Sequence, residues 1–235
     1  MPWDFWLILL FLGIVVPWRG AVRLKKLLAL PSVSTKEKLE LYGATIAGQW
    51  AITALVAWRA VARGLSAETL GLADYGGIST ILGSLALAAF IGGLHWLNLR
   101  RVGKSVGHAT ERMRSLARRI LPVNSVELLP YCALAVTAGV CEEFLYRGFA
   151  MGALARVGFP AWAVVILTAA LFGLAHVYQG RGGILGTFVM GILFGVMRVA
   201  YDTLVPVIMS HTVVDLVAGI AGPRYLLPQL TEEQK

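Results

Sequence analysis

Seven long apolar stretches divide this chain, and they decide what it can fold into: Trp3–Trp18, 39–61, 78–99, 126–152, 161–179, 183–199 and 203–221. Such runs approach or reach the roughly 17–25 residues needed to cross hydrocarbon. A bilayer offers no water to unpaired backbone N–H and C=O groups, so each run is expected to form a helix. Of the 235 residues 57% are hydrophobic and only 14% charged, against about 25% charged in soluble domains. The expected fold is therefore an all-α, polytopic transmembrane bundle of about seven spans, eight if residues 104–135 hold another. It forms a single membrane domain over residues 1–235. Asp4 and the following Arg19-Gly20 do not suit a cleaved signal, so the first run reads as a retained span.

The cations are not spread evenly. Residues 19–38 hold Arg19, Arg23, Lys25, Lys26, Lys36 and Lys38, and residues 100–122 hold Arg100, Arg101, Lys104, Arg112, Arg114, Arg118 and Arg119. These are 13 of the 21 Lys and Arg residues. Both segments read as cytoplasmic loops, which puts the N-terminus outside and the C-terminus in the cytoplasm. The loop at 62–77 is mixed, with Arg63, Glu68 and Asp74. The net charge of +8 then reflects topology and contact with anionic lipid rather than nucleic acid. Within the second basic segment Val106, Met113, Leu116 and Ile120 recur near helical spacing, which predicts an amphipathic helix on the membrane surface.

Against this background the run from Pro130 to Val157 contains Cys141-Glu142-Glu143-Phe144-Leu145-Tyr146-Arg147. A charge at bilayer depth costs about 3 kcal/mol on insertion scales, so such residues mark function by default. Glu143 and Arg147 stand at i and i+4, the favourable order for an ion pair. Glu142 lies 100° further round the helix, needs its own partner, and is suited to general-base work. Cys132 and Cys141 are about 13 Å apart along one helix, too far for a disulfide. Pro122 and Pro130 predict a late start for this span. Gly182, Gly186, Gly191 and Gly195 predict a close-packed sixth helix.

Two further polar intrusions follow. His176 stands four residues after Phe172, on one helical face, and His211 stands four before Asp215. An aspartate there can fix the imidazole tautomer by accepting the Nδ1 proton. His95 beside Trp96 reads as interfacial, and His108 as solvated. Taken singly, each cluster is equally a structural ion or hydrogen-bond pair between helices. Taken together, Glu142, His176, His211 and Asp215 are expected to converge on a wet cavity between the fourth and seventh spans. Two histidines and a carboxylate (Glu142, His176, His211) also make a zinc set, although no His-Glu-x-x-His segment is present. A proton or ion relay would use the same residue types.

In order, Glu-Glu-x-x-x-Arg (Glu142, Glu143, Arg147), Phe-x-x-x-His (Phe172, His176) and His-x-x-x-Asp (His211, Asp215) resemble the motifs of the CPBP/Abi family. These are the type II CAAX prenyl endopeptidases and the bacteriocin-processing and immunity proteins. The likeness covers about residues 125–220 and makes 123–222 the catalytic core. Residues 1–122, the N-terminal spans and basic segment, match only in hydrophobicity. The resemblance implies an intramembrane endopeptidase in a prokaryotic cell membrane, cleaving a membrane-associated peptide, prenylated or not. By it Glu142 and His176 activate a water, and His211 with the residue four later stabilises the oxyanion. Glu143, Arg147 and Phe172 are supporting residues. No metal is implied, Zn2+ being the alternative cofactor. An ionised aspartate has no proton to donate, so Asp215 is a departure from the asparagine common in the prenyl endopeptidase branch. The competing reading within the family is a non-catalytic immunity protein that grips a peptide.

Overall fold

The structure, a computed structural model, describes residues 1–73 and 77–227, with the backbone alone for 108–110. Asp74 and the side chain of His108 lie outside that description. Among the described residues there is no strand. Eight helices follow one another: α1 (Trp3–Ala29), α2 (Thr35–Ala62), α3 (Gly77–Gly103), α4 (His108–Ile120), α5 (Ser125–Arg156), α6 (Ala161–Ala175), α7 (Gly180–Tyr201) and α8 (Val205–Leu226). By length and composition α1, α3, α5, α8 and the stretch Val177–Tyr201 containing α7 can each cross a membrane. The apolar α6 is shorter, and α2 is long but less apolar. The chain is a polytopic helical membrane protein.

Local chemistry sets the boundaries. The basic segment expected as a loop from residue 19 is instead helical to Ala29. Lys and Arg are good helix formers, and nothing stops the helix until Leu30, held extended (ψ 137°) before Pro31. Upstream, a π-helical turn at Phe11–Val15 precedes Pro17, where the ring removes a helix N–H. α2 opens with a capping box: Glu37 N–H donates to the Ser34 hydroxyl, and Ser34 N–H donates to the Glu37 carboxylate at 2.7 Å.

The expected late start of the fourth span is also overturned. α5 begins at Ser125 and runs through Pro130. Glu127, 1% exposed, anchors its first turn, accepting from Lys38 Nζ (2.9 Å), the Thr35 hydroxyl (2.7 Å) and Val123 N–H (2.9 Å). Asn124 caps the helix by accepting from Glu127 N–H. These tertiary contacts outweigh the one backbone bond that Pro130 removes.

Helices α3 and α8 pack together, as do α5 with α8, α2 with α5, and α6 with α7. Gly139 is where α5 meets α8: a Cβ there would run into the Thr212 side chain, and would lie 3.1 Å from the Ile208 carbonyl. On α7 the glycines divide. Gly191 and Gly195 face Ala169 and Val165 of α6 within about 3 Å of a would-be Cβ, whereas Gly182 and Gly186 face open space. At one end of the bundle Arg59 of α2 and Arg63, the C-cap of that helix, both bind Asp4 of α1. At the other, Arg119 of α4 donates to the carbonyls of Leu27 and Leu30, and Tyr42 donates to that of Ile120. The two basic segments therefore occupy the same end.

Candidate active site

The regular α-helix of α5 ends at Glu143, and the next seven residues, Phe144–Ala150, form a π-helical turn that is buried throughout. Such widened turns recur at functional sites. The two glutamates at this junction point to different partners. Glu143, fully buried, accepts from Arg147 Nη1 at 2.9 Å. The Arg147 guanidinium donates also to the Gly191 carbonyl, and lies over the rings of Phe172 (4.4 Å) and Phe194 (5.5 Å). One cation thus ties α5 to α6 and α7.

Glu142 faces the other way. Its Oε1 accepts from Gln49 Nε2 of α2 at 2.7 Å. Its Oε2 stands 4.0 Å from His176 Nε2, with the side chains 20% and 13% exposed. His176 occupies the C-cap of α6, where the backbone leaves the helix before a single 3-10 turn and Gly180 (φ 81°). Its Nδ1 lies 2.8 Å from the Phe172 carbonyl, which only accepts, so Nδ1 carries the proton and Nε2 presents a lone pair. The Phe172 ring packs on the imidazole at a centroid distance of 4.6 Å. The 4.0 Å gap is too long for a direct hydrogen bond and suits a bridging water.

The second histidine is held otherwise than its spacing suggests. His211 Nδ1 meets Glu143 Oε1 at 2.7 Å, and Asp215 Oδ2 stands 3.7 Å from Nε2. Glu143, not Asp215, fixes the ring, because the carboxylate drawn inward by Arg147 already lies against α8. His211 also packs edge-on to Phe172, 5.9 Å between centroids. Both imidazoles therefore touch the ring that Arg147 covers.

A cavity of about 300 Å³ opens beside Glu142 and His176. Its polar wall includes Gln49, Thr45 and Tyr178. Its apolar walls come from Leu12 and Leu24 of α1, Ile52 of α2, and Leu116 and Ile120 of α4. This corrects the expectation of a cavity between the fourth and seventh spans: helices of the first half close it. The amphipathic α4 is present as expected, with its apolar edge turned into the cavity. His211 and Asp215 are not among the cavity's lining residues. His95, expected at the interface, is half-buried on α3, with no hydrogen-bond partner at Nε2 among the described residues.

Among the described residues no three of His, Cys, Asp and Glu are gathered closely enough to hold a metal ion. The set Glu142, His176 and His211 does not fit zinc, because the His211 nitrogens are turned to Glu143 and Asp215. Sequence reasoning missed Gln49 and the Glu143–His211 bond. It also missed the Lys38–Glu127 and Asp4–Arg59 pairs. Gln49 carried a readable signal, a lone amide inside an apolar run, but nothing local named its partner.

The comparisons with known proteins agree with the motifs. Residues 124–217 match the family model described as type II CAAX prenyl endopeptidase Rce1-like. No curated protein and no solved structure matches the chain. The matched stretch holds Glu142, Glu143, Arg147, Phe172, His176, His211 and Asp215, and over these residues the chain is similar to the type II CAAX prenyl endopeptidases described as Rce1-like.

Proposed function

We propose that the chain is an intramembrane endopeptidase in which Glu142 and His176 activate a water held between them. The observation that carries this is the 4.0 Å separation of Glu142 Oε2 from His176 Nε2 on the wall of a largely apolar cavity. Gln49 occupies Oε1, so Oε2 is the oxygen free to take a proton. The Phe172 carbonyl holds the His176 tautomer, so Nε2 accepts the second proton of the same water as a hydrogen bond. The water oxygen attacks the peptide carbonyl carbon, and its proton passes to Glu142. Collapse of the tetrahedral intermediate breaks the C–N bond, and Glu142 returns the proton to the leaving amine.

His211, when protonated, donates from Nε2 to the developing oxyanion. Glu143 orients the ring through Nδ1. Asp215, beside Nε2, helps aim that donor and gives no hydrogen bond of its own in the ionised state. No step needs a metal. The substrate is a peptide at or in the membrane, its apolar part, prenylated or not, lying against the leucines of α1 and α4. The end carrying both basic segments faces the cytoplasm by the positive-inside rule, so the cavity is reached from that side or from lipid.

The test is incubation of the purified protein, in lipid nanodiscs, with a library of membrane peptides, with and without chelator. Cleavage that persists with chelator supports the reading. Peptide binding without cleavage would point to an immunity or binding protein, and ion flux without peptide to a transporter. Either result would overturn it.

A further inference from the structure

Among the described residues Glu142 has one direct hydrogen-bond donor, and it comes from outside the stretch that matches the family model. Gln49 belongs to α2, 93 positions away in sequence, and donates from Nε2 to Glu142 Oε1 at 2.7 Å. We infer that Gln49 is a positioning residue: it decides which oxygen of Glu142 faces the water and His176. The inference rests on the endopeptidase reading for its consequence, but its geometry stands independently.

Three observations support it. The first is the division of labour on the carboxylate. Oε1 is engaged by Gln49 and Oε2 faces His176 Nε2 at 4.0 Å. Without a donor at Oε1 the carboxylate is free to turn about its last bond, a broad torsion with no sharp well of its own. The water would then lose a fixed acceptor.

The second is that Gln49 is not satisfied as a structural glutamine would be. Its Oε1 is buried and has no hydrogen-bond partner among the described residues. Burying an unpaired acceptor is costly. The amide cannot reverse to relieve that cost, because reversal would set its oxygen against the carboxylate oxygen of Glu142. The side chain keeps the arrangement that serves Glu142. The third is place: Gln49 itself lines the cavity beside Glu142 and His176. On α2 it stands one helical turn from Thr45, another residue of that wall, so a single face of α2 presents both.

This makes α2 part of the working site rather than packing around it.

The experiment uses the full chain in nanodiscs with a cleaved peptide. Gln49→Met keeps length and volume but removes both the donor and the unpaired acceptor, and Gln49→His restores a ring N–H of similar reach. A positioning role expects Gln49→Met to lower kcat about tenfold or more, with KM within about twofold and thermal stability not reduced. Gln49→His should recover most of kcat. Wild-type turnover in Gln49→Met would overturn the inference. So would a fall of kcat and stability together, unrescued by His, which marks packing alone. A second readout needs no activity: the infrared carboxylate band assigned to Glu142 by its absence in Glu142→Gln. It should shift in Gln49→Met. An unshifted band overturns the inference, whereas a shifted band in a protein that cleaves nothing upholds the hydrogen bond and overturns only the endopeptidase reading.

Discussion

Replacing Arg147 with methionine tests the frame that holds the site. The guanidinium is 0% exposed, and so is its partner Glu143, 2.9 Å away. Glu143 Oε2 already lacks a hydrogen-bond partner among the described residues. After Arg147→Met the carboxylate would keep only His211. Breaking a buried pair by removing one member costs about 3–5 kcal/mol. For a chain of this size about 1 kcal/mol corresponds to roughly 2–4 °C, so the expected loss in Tm is about 6–20 °C. Glu143→Gln should cost a similar amount, because it leaves a fully buried cation. Removing both charges, Glu143→Gln with Arg147→Met, should recover most of the loss, since an uncharged pair carries no desolvation penalty. The cycle should give a coupling of at least about 2 kcal/mol. The assay is thermal unfolding in nanodiscs followed by the fluorescence of the seven tryptophans. Additive single effects, or a loss under about 1 kcal/mol in Arg147→Met, would refute the claim that this pair is a coupled buried unit.

Three other outcomes follow from the same geometry. Gly139→Ala should push α5 from α8 by forcing a Cβ into Thr212, costing about 1–3 kcal/mol. Peptide turnover, if the site works as proposed, should fall with it, and unchanged stability would show that the helices have slack there. Lys38→Met strands Glu127, of which 1% is exposed, and should cost about 3–5 kcal/mol by thermal unfolding; a neutral effect would show water reaching that carboxylate. Initial cleavage rates with and without chelator should agree, and loss of activity restored by Zn2+ would assign a metal to the reaction.

How far the sequence could be read depended on sequence separation. The Glu143–Arg147 pair and the packing of Phe172 against His176 are i, i+4 relations, so helical geometry alone reveals them. The helical membrane class followed from composition and from apolar run length. The partner of Glu142 did not, because Gln49 lies 93 positions away and only the packing of α2 on α5 brings them together. Local spacing pairs His211 with Asp215, whereas a tertiary contact, Glu143, takes its Nδ1. Pro130 was read by the local rule that proline ends a helix. The buried Glu127–Lys38 pair anchors the first turn firmly enough to carry the helix past it. The cavity, too, was drawn from the half of the chain with the polar motifs, because walls made of leucine look like any other apolar run.

The most direct trial of the account is a comparison of wild-type protein with Glu142→Gln on one membrane peptide that the wild type cleaves. The substitution keeps shape and the neighbours of Gln49 and His176, and removes only the oxygen proposed to take the proton. The account expects folded protein, peptide still bound, and hydrolysis lowered by a hundredfold or more, on the order of a general base's contribution. Hydrolysis by Glu142→Gln at the wild-type rate would contradict it.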